Sequence, residues 1–316
     1  FRLLDNSLFT GGAFFPKHLH ARNRKYGIAT RQPRANYQAL LGQRYLPNHW
    51  DGEISSFDSR VYGGRFSEDG NLFYAVTQND IIMYNTENVN KWKFINHLYG
   101  QMVQWTITDT DVTGDNENLL YSSLNNVVHM LRISPEKRLR QQPLELSDEN
   151  GMYRFAVYSA KFNHEGTTIA AGTNVGLYYY DVVKKTNIFA VDAHDDDINS
   201  VCYENRRDGN IIFTASDDCM CKVWDRRDMR RNHQPQGIFI GHHEGLTHVT
   251  ARGNGYHVLT NGKDQCMKLW DLRKMRTSND LTSMSPLRQQ GHFDYRFMPY
   301  DWSRTAPRHD YDDSVM

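Results

Sequence analysis

Short apolar and β-branched runs, broken by polar turns, recur along the middle of the chain. Leu72 to Thr77 and Ile81-Ile-Met-Tyr84 flank one such turn, and Leu119-Leu-Tyr-Ser-Ser123 and Val127-Val-His-Met-Leu131 flank another. Ile169-Ala-Ala171 and Gly176-Leu-Tyr-Tyr-Tyr-Asp181 repeat the arrangement. Runs this short, bounded by Gly, Asn, Asp or Ser, predict strands joined by tight turns rather than helices. Two further copies start at Ile211-Ile-Phe213 and Val258-Leu259, and each ends in a short strand closing on Trp-Asp.

The last two copies are similar residue by residue. Asp218-Cys-Met-Cys-Lys-Val-Trp-Asp-Arg-Arg227 returns as Asp264-Gln-Cys-Met-Lys-Leu-Trp-Asp-Leu-Arg273. Upstream of each stand Ala193-His194 and Gly241-His242, followed by apolar pairs at Ile198 and Val201 and at Leu246 and Val249. Tyr84, Leu131, Tyr180, Trp224 and Trp270 occupy the same place in five copies, 44 to 49 residues apart. A period of roughly 40–45 residues with Gly-His early and Trp-Asp late resembles the four-stranded WD40 blade. The implied fold is all-β: a WD40 β-propeller with five recognisable repeats over 59–274, of seven expected for closure.

That resemblance implies a buried hydrogen-bonded tetrad in each of the last two copies. Its members are His194, Thr214, Asp218 and Trp224 in one, and His242, Thr260, Asp264 and Trp270 in the other. Gln78, Asn125 and Asn174 stand for the turn Asp in the first three copies, whose tetrads are expected to be incomplete.

Charge adds a second feature. Lys and Arg together equal Asp and Glu at 37 each, so bulk charge selects neither nucleic acid nor membrane. Between residues 6 and 50, however, Lys17, Arg22, Arg24, Lys25, Arg31, Arg34 and Arg44 meet no acid at all. Residues 1–58 are therefore set apart as a basic arm, partly helical or disordered. It reads as a docking arm for an acidic partner, a solvated or nuclear-targeting tail, or a nucleic-acid contact. Residues 275–316 read as a polar, aromatic-rich loop, with Phe293, Tyr295, Phe297 and Trp302 available as partner contacts. The start at Phe1 and the missing last blades make a fragment or short form the expectation.

No apolar run approaches the ~18 residues of a membrane span. Four cysteines and no Asn-x-Ser/Thr sequon suggest an intracellular protein, nuclear and cytoplasmic, with reduced thiols. Cys219 and Cys221, expected on one face of a strand, with Cys202 and Cys266 nearby, read as buried or edge thiols rather than a metal site. Asp195-Asp196-Asp197 lacks the spacing of a calcium loop and reads as a solvated connection. There is no phosphate-binding Gly-rich loop and no His-Glu-x-x-His, so neither a catalytic residue, a cofactor nor a metal is expected.

Arg227 and Arg273 each lie three residues after the Trp, past the end of a strand. Two neighbouring blades thus offer guanidiniums at one rim, suited to a partner's carboxylates and carbonyls, unless they are solvated or bridge back to Asp225 and Asp271.

The tandem Asp-x₃-Lys-Val/Leu-Trp-Asp-x-Arg boxes resemble those of the cullin-4-associated factors, substrate receptors of cullin-4 RING ubiquitin ligases. Phe15-Pro-Lys-His-Leu-His20, Asn261-Gly-Lys-Asp-Gln265 and Phe293-Asp-Tyr-Arg296 extend the similarity. The resemblance implies docking on the adaptor, damage-specific DNA-binding protein 1, through Arg227 and Arg273 with Asp225 and Asp271, assisted by the arm. It further implies a non-catalytic role presenting a protein substrate, a stress-response basic-zipper factor among the target class. The rival readings are a WD40 scaffold of another complex and a nucleic-acid contact through the arm.

Overall fold

The computed structural model describes residues 52–88, 91–135, 139–146, 155–277 and 293–300. Two units divide the chain, Phe1–Phe57 and Asp58–Met316, and every strand among the described residues lies in the second. Residues 1–51 of the basic arm, and Trp302 in the C-terminal stretch, lie outside the described residues.

Among the described residues, nineteen strands form five antiparallel meanders. The first sheet holds β1 (Gly63–Phe66), β2 (Leu72–Val76), β3 (Asp80–Asn85) and β4 (Lys93–Tyr99). The second holds β5 (Ile107–Val112), β6 (Asn118–Ser123), β7 (Val127–Arg132) and β8 (Gln141–Glu145). The third holds β9 (Val157–Phe162), β10 (Thr168–Thr173), β11 (Leu177–Asp181) and β12 (Thr186–Val191). The fourth holds β13 (Ile198–Tyr203), β14 (Ile211–Ser216), β15 (Met220–Asp225) and β16 (Gly237–Ile240). The fifth is β17 (Leu246–Ala251), β18 (His257–Gly262) and β19 (Met267–Asp271), without a fourth strand among the described residues. On β19, Met267 is accordingly 69% exposed.

This is the β-propeller that the period predicts. In the first four sheets the second and third strands, buried on both faces, are the apolar runs seen in the sequence; the outermost strands β4, β8 and β12 are wet on one face, whereas β16 is buried along its length. β4 shows the difference, alternating exposed and buried residues.

The core lies between blades rather than inside them. Leu120, Val128 and Leu144 of the second sheet pack with Ala160, Phe162 and Ile169 of the third. Trp224 packs against Ala170, Leu177 and Tyr179 of the third sheet, and Trp270 against Phe213 and Val223 of the fourth. Each Trp therefore welds its blade to the preceding one.

Innermost strands are stitched by side chains. Ser159 Oγ accepts the Val201 N–H at 3.1 Å, and Ser200 Oγ accepts the Val249 N–H at 3.2 Å, one blade further round. Asp109 Oδ2 takes the Ser159 hydroxyl at 2.6 Å, and Asp111 Oδ2 takes the Phe162 N–H at 2.8 Å. Lys161 Nζ reaches both Asp109 oxygens at 2.6 Å, Arg65 Nη2 lies 3.2 Å from Asp109, and Arg206 Nη2 lies 2.8 Å from Asp111. A buried charge hub thus ties four blades together, and composition offered no sign of it.

The inner turns refine the tetrad expectation. In the second, fourth and fifth sheets a side-chain oxygen in the turn accepts the N–H two residues on: Asn125 from Val127 at 3.0 Å, Asp218 from Met220 at 3.0 Å, Asp264 from Cys266 at 3.1 Å. In the first and third sheets the turn is a residue shorter, closed by Thr77 N–H to Asp80 O and Thr173 N–H to Gly176 O. There the threonine hydroxyl accepts instead, from Asp80 N–H at 3.1 Å and from Gly176 N–H at 3.0 Å. Gln78 and Asn174 consequently do not occupy the Asp position. Gln78 donates to Trp105 O in the connection that follows its sheet, and Asn174 accepts from Ala156 N–H in the connection that leads into its own.

Candidate protein-docking rim

The two tetrads form continuous chains. Trp224 Nε1 donates to Thr214 Oγ1 at 2.9 Å, Thr214 Oγ1 lies 2.7 Å from His194 Nε2, and His194 Nδ1 lies 2.6 Å from Asp218 Oδ2. The second chain runs Trp270 to Thr260 at 2.7 Å, Thr260 to His242 at 2.7 Å and His242 to Asp264 at 2.9 Å. Trp can only donate and a carboxylate can only accept. The order that satisfies every member within the chain is Trp N–H to Thr, Thr O–H to His Nε2, and His Nδ1–H to Asp, and for His194 it makes the imidazole neutral.

Burial pushes His194 below the ordinary histidine range, against the pull of Asp218. Burial alone would raise Asp218, but the His194 bond and the nearby charges leave it low and ionised. A depressed folded-state histidine contributes stability above its unfolded value of about 6.5 and loses it as pH falls. Acidifying from neutral to below pH ~6 is thus expected to speed amide exchange in the 216–220 turn beyond the intrinsic change. Hydrogen-exchange mass spectrometry reads this directly, and unchanged protection would refute the neutral assignment.

The tetrad fixes where β15 and β19 end, and the rim residues follow at once. Asp225 caps the helix α1 (Arg226–Asn232), accepting the Arg227 N–H at 2.9 Å. Asp271 caps a 3-10 turn, Leu272–Lys274, accepting the Arg273 N–H at 3.0 Å. Helix α1 escaped the sequence reading, although an Asp before Arg-Arg-Asp is an N-cap signal. Met229 of α1 is buried beside Trp224, which holds the helix on the blade.

Each guanidinium folds back on its own cap. Arg227 Nε lies 2.9 Å from Asp225 Oδ1 and its Nη2 lies 2.5 Å from Oδ2. Arg273 Nε lies 2.8 Å from Asp271 Oδ1 and its Nη2 lies 2.6 Å from Oδ2. The bridge back to the Trp-Asp carboxylate is thus the arrangement present. The two side chains stay 66% and 65% exposed. The fork uses Nε and one Nη2 hydrogen, leaving three N–H donors facing outward. Bonding to Arg227 draws the Asp225 carboxyl below its ordinary value, and bonding to Arg273 draws Asp271 down to about 2. Arg273 also lies over the Tyr256 ring, 5.1 Å from its centroid.

Segment 293–300 sits at the other rim. Gln265, in the β18–β19 turn with φ 60°, donates to Tyr295 O at 2.9 Å and Met298 O at 2.7 Å, and accepts Tyr300 N–H at 2.9 Å. That turn is at the opposite end of β19 from Asp271. Phe293 is turned inward against Tyr300, edge to face at 5.3 Å, whereas Tyr295 is exposed and Phe297 is 83% exposed. Asp294 and Arg296 repeat the rim geometry, with Nε at 2.9 Å and Nη2 at 2.7 Å, which sequence inspection had passed over.

The remaining candidates are scaffold. Cys219 lies in the turn, at φ 71°, rather than on the strand beside Cys221, so the period-two argument does not apply to it. All four thiols are free, and burial pushes Cys202 up to about 12, far from a reactive thiolate. In the 195–197 run, Asp197 takes the Tyr158 hydroxyl at 2.8 Å, while the neighbouring Asp217 takes Lys263 Nζ at 2.7 Å.

The WD domain, G-beta repeat model matches residues 185–225 and 233–271. The chain is 37% identical over 267 residues to LEC14B protein of Lithospermum erythrorhizon, covering 81% of this chain and 55% of that one. It is 33% identical over 281 residues to the LEC14B homolog of Prunus armeniaca, covering 86% and 58%. With the DDB1- and CUL4-associated factor 11 homolog of Caenorhabditis elegans it shares 29% identity over 286 residues, covering 87% and 49%. The chain spans about half the length of these relatives. Five stacked blades, two closed tetrads and these similarities together show that the chain belongs to the WD40-repeat proteins, of the DDB1- and CUL4-associated factor 11 type.

Proposed function

We propose that the chain acts as the non-catalytic substrate-recognition component of a cullin-4 RING ubiquitin ligase. The observation that carries this reading is the pair of preorganised guanidiniums, Arg227 and Arg273, at equivalent places on adjacent blades. Each is held by its own cap and still presents three outward donors, so little side-chain freedom is lost when a partner binds. The name of the nematode relative supports the identity of that partner as the adaptor DDB1, damage-specific DNA-binding protein 1, and through it cullin-4.

A receptor of this kind contributes proximity, holding a target's lysine near the charged conjugating enzyme. The rim that carries Phe297 and Met298, opposite the docking arginines, is left for the protein substrate; a stress-response transcription factor fits the proposal. Nucleus and cytoplasm are the compartments it requires.

The test is retention of the chain on purified adaptor beside an Arg227→Ala/Arg273→Ala variant of unchanged circular dichroism. Retention is expected to fall about tenfold or more, because charge-assisted bonds are lost at two sites. Equal retention of both proteins would make the arginines incidental and favour a scaffold of another complex. Because Asp225 and Asp271 are held below their ordinary values, retention should stay level from pH 8 to about 5. The carboxylates contribute above the unfolded value of about 3.9 and fail only as pH falls toward their folded values. A steep loss near neutrality would point to other groups.

A further inference from the structure

On the same rim as Arg227 and Arg273, but at the ends of the innermost strands, lies a cavity of about 540 Å³. Three connections wall it: the β1–β2 turn with Glu68, the β13–β14 loop with Glu204, Arg206 and Arg207, and the start of the β17–β18 loop with Arg252. Lys161, near the end of β9, completes the wall. The docking arginines do not line it. Its size suits a small molecule.

One of the two acids of this wall is engaged: Glu204 accepts the Gly255 N–H. Glu68 is exposed, 3.5 Å from His164 Nδ1 without a hydrogen bond to it. Lys161 is held from behind by Asp109, and Arg206 Nη2 by Asp111 and Val112 O. Arg206 Nε, however, is buried with no acceptor among the described residues. Arg207 and Arg252 are exposed, and their guanidiniums meet no partner among the described residues.

We infer that this cavity binds a small polyanion carrying two phosphate groups. Two open guanidiniums on separate loops supply two forks, each matched to a phosphate, and Lys161 and Arg206 in the same wall add positive charge. A phosphate brings up to two charges and three acceptor oxygens, which a single carboxylate does not. The site is independent of adaptor docking and is tested without the adaptor.

Inorganic pyrophosphate is titrated into the full chain by isothermal calorimetry at physiological ionic strength. Saturable one-to-one binding is expected. Arg207→Ala/Arg252→Ala should weaken it at least about tenfold, and Arg227→Ala/Arg273→Ala should leave it unchanged. Both cavity arginines are exposed, so the fold should survive, and circular dichroism checks this. Arg207→Lys/Arg252→Lys, which keeps charge but loses the forks, should fall between the parent and the alanine variant. Absent binding, or equal affinity in the Arg207/Arg252 alanine variant, overturns the proposal; the second outcome assigns the heat to the basic residues between 17 and 44.

Discussion

Asp109→Ala is expected to destabilise the β domain by about 3–5 kcal/mol, the range for removing one partner of a buried charge pair. Asp109 is buried and accepts from Lys161, Ser159, the Ala160 N–H and Arg65. Without it, Lys161 Nζ keeps Thr110 O, at 3.2 Å, as its remaining close acceptor, and of the carboxylates only the more distant Asp111, already bonded to Arg206, still answers its charge. Burial would raise the Asp109 carboxyl, but Lys161 and Arg65 hold it below the ordinary range. Burial also pushes Lys161 down, and Asp109 opposes that push.

Two consequences separate this account from a simple packing defect. A buried lysine without its carboxylate titrates lower, so the deficit of the variant should shrink as pH rises toward the lysine range. Asp109→Ala combined with Lys161→Met should recover most of the loss, since an apolar pair at such a site is often neutral. Urea unfolding of the two variants beside the parent reads both effects. A loss below about 1 kcal/mol for Asp109→Ala would remove the hub from the account of stability.

Trp224→Ala should cost a similar amount, about 3–5 kcal/mol, through the cavity left between the third and fourth blades. Its indole is fully buried against Ala170, Leu177 and Tyr179, and its N–H ends the chain through Thr214 and His194 to Asp218. Trp224→Phe keeps most of the packing and orphans one hydrogen-bond acceptor, so about 1–3 kcal/mol is expected. The distinction reaches function because Asp225 ends β15 and Arg227 follows it two residues on. Trp224→Phe should keep adaptor retention while Trp224→Ala loses it with the melting temperature. If Trp224→Ala melts like the parent, the interblade core does not set stability. If it melts low yet docks normally, the rim does not depend on the tetrad.

Much of this molecule is written in local patterns. Second and third strands, the five Trp-equivalent positions, the two tetrads and the rim arginines lie within repeats of 44 to 49 residues, where burial and turn chemistry recur at fixed offsets. A period repeated five times is read directly, because each blade buries the same positions for the same reason. The shorter turns of the first and third sheets were misaligned by one residue, since composition does not reveal which oxygen accepts the turn N–H. The outer strands β4, β8 and β12 and helix α1 were invisible because one wet face, or a single cap, leaves little apolar pattern, whereas β16, Gly237-Ile-Phe-Ile240, was legible as a buried apolar run.

The charge hub, the cavity and the assignment of rims belong to the folded molecule. Asp109 and Lys161 are 52 residues apart, and Asp111 and Arg206 are 95 apart. Nothing in one repeat announces a partner in another. Stacking the sheets about one axis brings the inner strands side by side, and that places these charges together. The same folding sends Gln265 and Asp271 to opposite ends of one strand, separating the 293–300 segment from the docking arginines. Local chemistry chose the blades and their locks; packing between blades determined which locks face a partner and which face one another.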